Sequence, residues 1–222
     1  MIGSATMRNV AILTKPLGKT LALCTALGLM FLMASGCYYS TRLVQYPPPL
    51  VLSPRAAPDP IPLVIERVTT SLNGTPTSAS PGFEKDYIAG LRTLGFFSPI
   101  LNSDRVDEAP AGAARMTIAN AVSIDPHQGS AIVKGFFIGL SLYLLTPVLP
   151  LIHDVAETVS ATIALPNGTV RQYQVTSTGR GTYALGANGV LMEAELSSKV
   201  GTATLQGLLN RIREDDALRA AP

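Results

Sequence analysis

The middle of the chain contains 18 consecutive residues without a charge, GFFIGLSLYLLTPVLPLI, at positions 135–152. A helix that is apolar on every side needs apolar neighbours all round it, so this segment limits how the rest of the chain can fold. Three arrangements meet the requirement. The segment could cross a membrane, pack as a buried helix or helical hairpin on a sheet, or form a hairpin that contacts a bilayer or a partner protein.

A membrane-spanning helix fits this segment poorly. Spanning needs about 20 apolar residues, and Pro147 and Pro150 would break the last turns of such a helix. The flank after residue 152 is acidic, without the basic residues expected on a cytoplasmic side. We therefore favour contact with membrane or partner, with burial and spanning as the alternatives. The predicted contact residues are Phe136, Phe137, Ile138, Leu140, Leu142, Tyr143, Leu144 and Leu145.

The first 36 residues hold three of the 17 basic side chains and no acidic one. The basic residues precede an uncharged run of 17 residues, 20–36, which is the layout of a secretory signal. The rest of the chain has 14 basic and 15 acidic side chains, so the basic excess belongs to the N-terminus alone. This balance argues against a nucleic-acid partner.

The uncharged run closes on Ala34-Ser35-Gly36-Cys37, which resembles the lipobox of bacterial lipoproteins. The resemblance implies a signal peptide at 1–36, cleavage between Gly36 and Cys37, and diacylglycerol and palmitate chains on Cys37. With Tyr38 instead of aspartate after the cysteine, it also implies the periplasmic face of a Gram-negative outer membrane. Cys24 would be lost with the signal, leaving the mature chain no second cysteine for a disulfide.

Seven prolines lie between residues 40 and 62. Such composition favours extended polyproline II structure. We therefore expect a tether over 37–62 that joins the lipidated cysteine to a folded domain.

Residue patterns predict the elements of that domain. Residues 63–70 read as a strand, residues 81–94 as an amphipathic helix that follows Ser80 as its N-cap, and residues 116–124 as a half-buried strand interrupted by Asn120. Asn167-Gly168 separates two alternating runs and indicates a tight β-hairpin over 155–183. A closing amphipathic helix covers 196–212.

Together these elements predict an α+β fold. The expected form is a mostly antiparallel sheet with two amphipathic helices and an apolar helical hairpin inserted before the last β-hairpin. The domain is expected over residues 63–216, with 217–222 as a tail.

Few side chains suggest chemistry. His127 and His153 read as loop residues, and His153 with Glu157 would share a helix face as metal ligands do, but no third ligand accompanies them. Gly179-Arg180-Gly181 lacks the setting of a phosphate loop and reads as a flexible loop. We predict no catalytic, metal or cofactor site.

The sequence therefore predicts a lipid-anchored, non-enzymatic component of envelope assembly or interaction. Its partners would be membrane lipid, through acylated Cys37, and an envelope protein. The alternatives are a periplasmic hydrolase with His127 or His153 as base, and an inner-membrane protein spanning at 135–152.

Overall fold

The computed structural model describes residues 39–49, 60–79, 81–141, 145, 149–184, 187–215 and 218. These residues form one seven-stranded sheet and three α-helices. The strands are β1 (Tyr39–Gln45), β2 (Ile61–Leu72), β3 (Thr75–Thr77), β4 (Phe97–Leu101), β5 (Ala114–Asp125), β6 (Leu151–Ala164) and β7 (Val170–Tyr183). The helices are α1 (Pro81–Leu94), α2 (Gln128–Leu140) and α3 (Gly189–Glu214), with a 3₁₀ helix at Ser103–Glu108. The predicted α+β class is confirmed.

The strand order is β1-β7-β6-β5-β2-β3, with β4 also paired to β2. Neighbours along β1, β7, β6 and β5 are antiparallel, as are β2 and β3. β2 is parallel to β4 and β5, because α1 carries the chain back across the sheet before β4 begins. The sheet is mixed, and most of its neighbouring pairs are antiparallel.

The predicted hairpin is β6 and β7, in a continuous register from Leu151 opposite Tyr183 to Ala164 opposite Val170. Its turn differs from the expected Asn-Gly type, because only Gly168 has a positive φ, of 82°. The N–H of Gly168 donates to the carbonyl of Leu165, which places Pro166 and Asn167 at the centre of the turn. β6 also begins earlier than residue 155.

The tether prediction is wrong for residues 39–45. Tyr39–Gln45 forms β1, which pairs antiparallel with the end of β7, and the Asn210 amide donates to the carbonyl of Pro48 at 2.7 Å. Residues 39–45 contain no proline and alternate in burial, so they can join a sheet. Residues 61 and 62 belong to β2, and residues 50–59 lie outside the described part.

The domain boundaries therefore change at both ends. The folded domain includes Tyr39 in β1, well before residue 63. Leu218, placed in a terminal tail by the sequence, is buried in the core with 2% of its surface exposed. Burial of an apolar side chain is favourable wherever it lies in the chain. The sequence around Leu218 does not reveal that this side chain packs into the core.

The main hydrophobic core lies between the sheet and one layer made by α1 and α3. Its largest fully buried side chains come from both layers: Leu63, Ile65, Leu91, Met116, Ile118, Ile163, Leu208 and Ile212. A smaller cluster of Val155, Leu196 and Val200 lies nearer the end of the sheet where Tyr39, Tyr183 and Leu151 are side by side. We call this end the Tyr39 end.

A row of buried polar side chains separates the two clusters. Asn120, Glu157, Ser177 and Thr204 come one each from β5, β6, β7 and α3, and each is at most 7% exposed. On β6, Glu157 falls between Val155 of the small cluster and Val159 of the main core. We call these four residues the polar row.

Burial raises the pKa of the Glu157 carboxyl, and a hydrogen bond from the Asn120 amide partly opposes that shift. The Asn120 side-chain oxygen has no partner among the described residues. An ionised carboxylate cannot donate to it. The polar row is therefore better satisfied when Glu157 is neutral.

Glu157→Gln is expected to raise the free energy of unfolding at pH 7 by on the order of 1 kcal/mol, because a neutral amide can both accept from and donate to Asn120. A carboxyl whose pKa is raised by folding makes the folded state less stable as pH rises through its titration. The stability gain of Glu157→Gln should therefore vanish at about pH 4, where the wild-type carboxyl is also neutral. Urea unfolding at both pH values measures this. Glu214→Gln, at an exposed end of α3, is the control. An equal gain at both pH values would contradict the assignment.

Gly207 lies where α3 crosses β7 and Pro47, in the segment that follows β1. A Cβ there would overlap Pro47 and come within 2.9 Å of Val175 Cγ1. Gly207→Val should therefore lower the free energy of unfolding by about 1–3 kcal/mol. Gly139→Val makes the same change on α2 where a Cβ meets nothing within 4 Å. Thermal or urea unfolding should separate the two variants, and equal stabilities would show that the crossing tolerates a side chain.

Candidate functional site

The uncharged segment 135–152 divides between two elements. Its first residues complete α2, which ends at Leu140, and its last two belong to β6. Leu142, Tyr143 and Leu144 lie outside the described residues, as do residues 146–148 at the bend of the predicted helical hairpin. Among the described residues no helix combines the length and the apolar character needed to cross a membrane.

α2 directs its largest apolar side chains outward. Ile132 is 73% exposed, Val133 56%, Phe136 67%, Phe137 49% and Leu140 71%. Their spacing of i, i+1, i+4, i+5 and i+8 places them on one side of the helix. The rings of Phe136 and Phe137 meet edge to face at 5.8 Å. We call these five residues the apolar face.

The apolar face includes part of the predicted contact set. Phe136, Phe137 and Leu140 belong to it, and Leu145 is also exposed. The prediction is wrong for Ile138, which is fully buried because helical geometry turns it to the opposite side from Phe136 and Leu140. The alternative prediction is that the uncharged segment is buried. Within α2, Ile138 is the one buried residue.

Polar contacts hold the start of α2 against the sheet. His127 Nε2 lies 2.9 Å from Asp154 Oδ2, and Arg180 binds the same carboxylate with Nε at 2.7 Å and a terminal nitrogen at 2.8 Å. The Arg180 guanidinium, aided by His127, lowers the pKa of Asp154 from 3.8 to about 2. Further along α2, the Lys134 ammonium donates to the carbonyl of Pro150 at 2.9 Å. These contacts place α2 at the Tyr39 end.

A second polar cluster fastens β1 to α3 at this end. Thr41 Oγ1 and Lys199 Nζ both donate to Glu195 Oε1 at 2.7 Å, and the Tyr39 hydroxyl also donates to this carboxylate. Lys199 is the largest cause of the fall in the Glu195 pKa to about 2. Because Tyr39 follows Cys37 by two residues, this cluster secures the strand next to the predicted lipidation site.

The first turn of α3 adds two exposed apolar residues that the sequence reasoning missed. Val190 is 78% exposed and Leu191 57%. A Cβ on the preceding Gly189 would meet the Tyr183 ring at 3.4 Å, so this turn lies at the Tyr39 end. The sequence did carry a signal, because Val190, Leu191 and Met192 are consecutive and only part of a helix surface can face the core.

The structure does not bring the two histidines into one site. His127 faces Asp154, whereas His153 lies within β6, where its Nδ1 is 3.5 Å from Glu193 of α3 and its ring contacts Tyr183. The loop prediction for His153 is therefore wrong. Four strand residues separate it from Glu157 by roughly 13 Å. Within the described ranges no group of three or more His, Cys, Asp or Glu could hold a metal ion.

Gly179-Arg180-Gly181 is part of β7, which corrects the flexible-loop prediction. A Cβ at Gly179 would lie 2.7 Å from Leu196 Cδ1, and one at Gly181 would lie 2.5 Å from the Met192 sulfur. The glycines therefore let α3 approach the sheet closely. Arg180 points to the other face, where it holds Asp154.

Comparison with known proteins gives only distant similarities. No family model matches the chain, and no curated protein does. Rare lipoprotein B from Shewanella oneidensis is similar over 68% of this chain and 93% of its own, at 14% identity and TM-score 0.35. A minor lipoprotein from Acinetobacter baumannii is similar over 72% of this chain and 94% of its own, at 14% identity and TM-score 0.37. The PelC dodecamer from Paraburkholderia phytofirmans is similar over 78% of this chain and 98% of its own, at 12% identity and TM-score 0.30. Similarity at this level assigns no activity to the chain.

Asp154→Asn is expected to lower the free energy of unfolding at pH 7 by about 1–2 kcal/mol, because it removes the charge that Arg180 and His127 bind. A carboxylate with a lowered folded pKa stabilises the fold above its usual pKa and loses that effect as pH falls towards 2. The difference from wild type should therefore shrink towards pH 2 in urea unfolding. Asp86→Asn, exposed on α1, is the control. A loss that does not depend on pH would exclude this ion pair as its cause.

Proposed function

We propose that this protein is a lipoprotein of the bacterial envelope, held on the periplasmic face of the outer membrane by diacylglycerol and palmitate chains on Cys37. It acts as a non-enzymatic interaction or assembly component. The observation that carries the proposal is the apolar face of α2, which is exposed on an otherwise well-packed domain. Such a surface serves contact with another apolar surface.

The size of the apolar face supports this role. Single exposed apolar residues are common on soluble proteins, but a contiguous set that includes two phenylalanines marks a site of interaction with protein or membrane. The ion pair of Asp154 and Arg180, together with His127, positions the helix that bears this face. The contacts among the described residues thus leave these side chains exposed.

The arrangement of β1 supports attachment at Cys37. The chain enters the sheet at Tyr39, so an acyl anchor on Cys37 would join the domain directly and not through a long flexible tether. Each buried methylene of an acyl chain contributes about 0.8 kcal/mol, and a second chain makes attachment stable. Membrane lipid is thus the first partner, and an envelope protein the second.

The surroundings of His127 support a structural role for this residue, not that of a hydrolase base. Its Nε2 binds Asp154, and its Nδ1 faces Asp125 Oδ2 at 3.8 Å. In a Ser-His-Asp triad, one histidine nitrogen binds the carboxylate and the other binds the nucleophile. Ser130 Oγ donates to the backbone carbonyl of His127, not to its ring, and His153 Nδ1 has no hydrogen-bond partner among the described residues.

Metabolic labelling with a fatty-acid analogue in a Gram-negative host tests the proposal. The full-length chain should be labelled and should sediment with the outer membrane in a density gradient, whereas Cys37→Ala should lose the label. Cys24→Ala is the matched control, because it removes the other cysteine of the chain from the signal region and should leave labelling intact. Labelling that survives Cys37→Ala, or an unlabelled wild type, would refute the anchor.

A further inference from the structure

Several separate elements place exposed apolar side chains at the Tyr39 end. Tyr39 and Leu151 both lie opposite Tyr183, so they are two strand spacings apart, about 10 Å. α2 is tied to the start of β6 through His127 with Asp154 and through Lys134 with Pro150. α3 starts beside Tyr183, with Val190 and Leu191 exposed.

The position of Cys37 decides what covers these side chains. Two peptide units separate Cys37 from Tyr39, and they span at most about 7 Å. An acyl anchor on Cys37 therefore holds the Tyr39 end against the bilayer surface, and it does so on the strand that Glu195 and Lys199 fasten to α3. The apolar face lies at the same end, so the surface nearest to it is lipid.

The charges of α2 suit the same occupant. Lys134 is the one charged residue in this helix, and its ammonium is held at the Pro150 carbonyl, away from the apolar face. A membrane-inserting surface carries large apolar side chains at its tip and keeps charge out of the hydrocarbon. An exposed apolar helix near an acyl anchor meets both conditions.

We propose that the apolar face of α2, together with Val190 and Leu191 of α3, inserts into the outer-membrane leaflet that holds the acyl chains and orients the domain with the Tyr39 end down. This rests on the proposed function, because it takes Cys37 as the acylated residue. The β6–β7 hairpin turn then points away from the bilayer. Val170 is 13 residues along β7 from Tyr183, about 40 Å away.

Fluorescent probes on introduced cysteines test the insertion. Acylation of Cys37 and loss of Cys24 with the signal leave the mature chain no free thiol, so one added cysteine can be labelled specifically. The acylated protein, reconstituted in vesicles of phosphatidylethanolamine and phosphatidylglycerol, would carry a polarity-sensitive dye at Phe136→Cys, Leu140→Cys or Val190→Cys. Val170→Cys, also an exposed valine, is the matched control. Nitroxide-labelled phospholipid in the vesicles serves as the quencher.

We expect the dyes at 136, 140 and 190 to shift to shorter wavelength and to lose more than half of their emission to the lipid quencher, while the dye at 170 does neither. Unquenched dyes at 136 and 140 on acylated, vesicle-bound protein would overturn the insertion. A wavelength shift without lipid quenching would overturn it in favour of a second copy of this chain, the only protein in these vesicles.

Failure of the anchor gives a different result from failure of the insertion. Mass spectrometry of the N-terminal peptide reports whether Cys37 is acylated, and vesicle flotation reports whether the protein is bound. An unmodified, non-floating protein refutes the proposed function. An acylated, floating protein with equal quenching at 136 and 170 refutes the insertion alone.

Discussion

The pairing of β1 with β7 is the contact on which the arrangement of the molecule depends. Without it, the residues before β2 would join the domain through a loose segment, and the orientation of the domain relative to the predicted anchor at Cys37 would be free. Six residue pairs and the cluster of Tyr39, Thr41, Glu195 and Lys199 hold the strand in place. The start of β1, two residues after the predicted lipidation site, thereby has a fixed position in the fold.

The polar row divides the interior into two regions with different neighbours. The main core is closed by α1 and α3 and includes the apolar residues of β2, β5, β6 and β7. The small cluster of Val155, Leu196 and Val200 lies under the Tyr39 end, close to His153 and Glu193. Glu157 and Asn120 between them make the interior less uniformly apolar than strand alternation alone would suggest. Asn120 was visible in the sequence as an interruption of one strand face, and its contact with Glu157 is the reason for it.

Local patterns predicted the elements whose own residues determine them. Helix α1 covers Pro81–Leu94 as its periodicity indicates, while its predicted N-cap Ser80 lies outside the described residues. The β6–β7 hairpin forms where the sequence predicts it, with Pro166 and Asn167 at the centre of the turn. β1 was missed because the neighbouring prolines dominated the composition. β3 was missed although Asn73-Gly74, both with positive φ, provides the turn that the sequence places between it and β2.

Contacts between distant residues could not be predicted in the same way. Asp154 and Arg180 lie 26 positions apart, and only the register of β6 against β7 brings them together. Likewise, the prediction of eight contact residues rests on their apolar composition. In the structure, the orientation of α2 exposes Phe136 and buries Ile138. Spacing on the helix predicts that these two side chains point in different directions. Which of them faces the sheet depends on the contacts of His127 and Lys134, which position the helix.

The direction of β1 also determines how mechanical load would enter the domain. The proposed anchor on Cys37 would pull at the N-terminal end of β1 along the strand axis, alongside the antiparallel strand β7. The hydrogen bonds between the two strands run across this axis, so they are sheared together and are not opened one after another. With Cys37 acylated as proposed, thermal movement of the bilayer would load the whole β1–β7 ladder. The Glu195 cluster would add a side-chain link from β1 to α3.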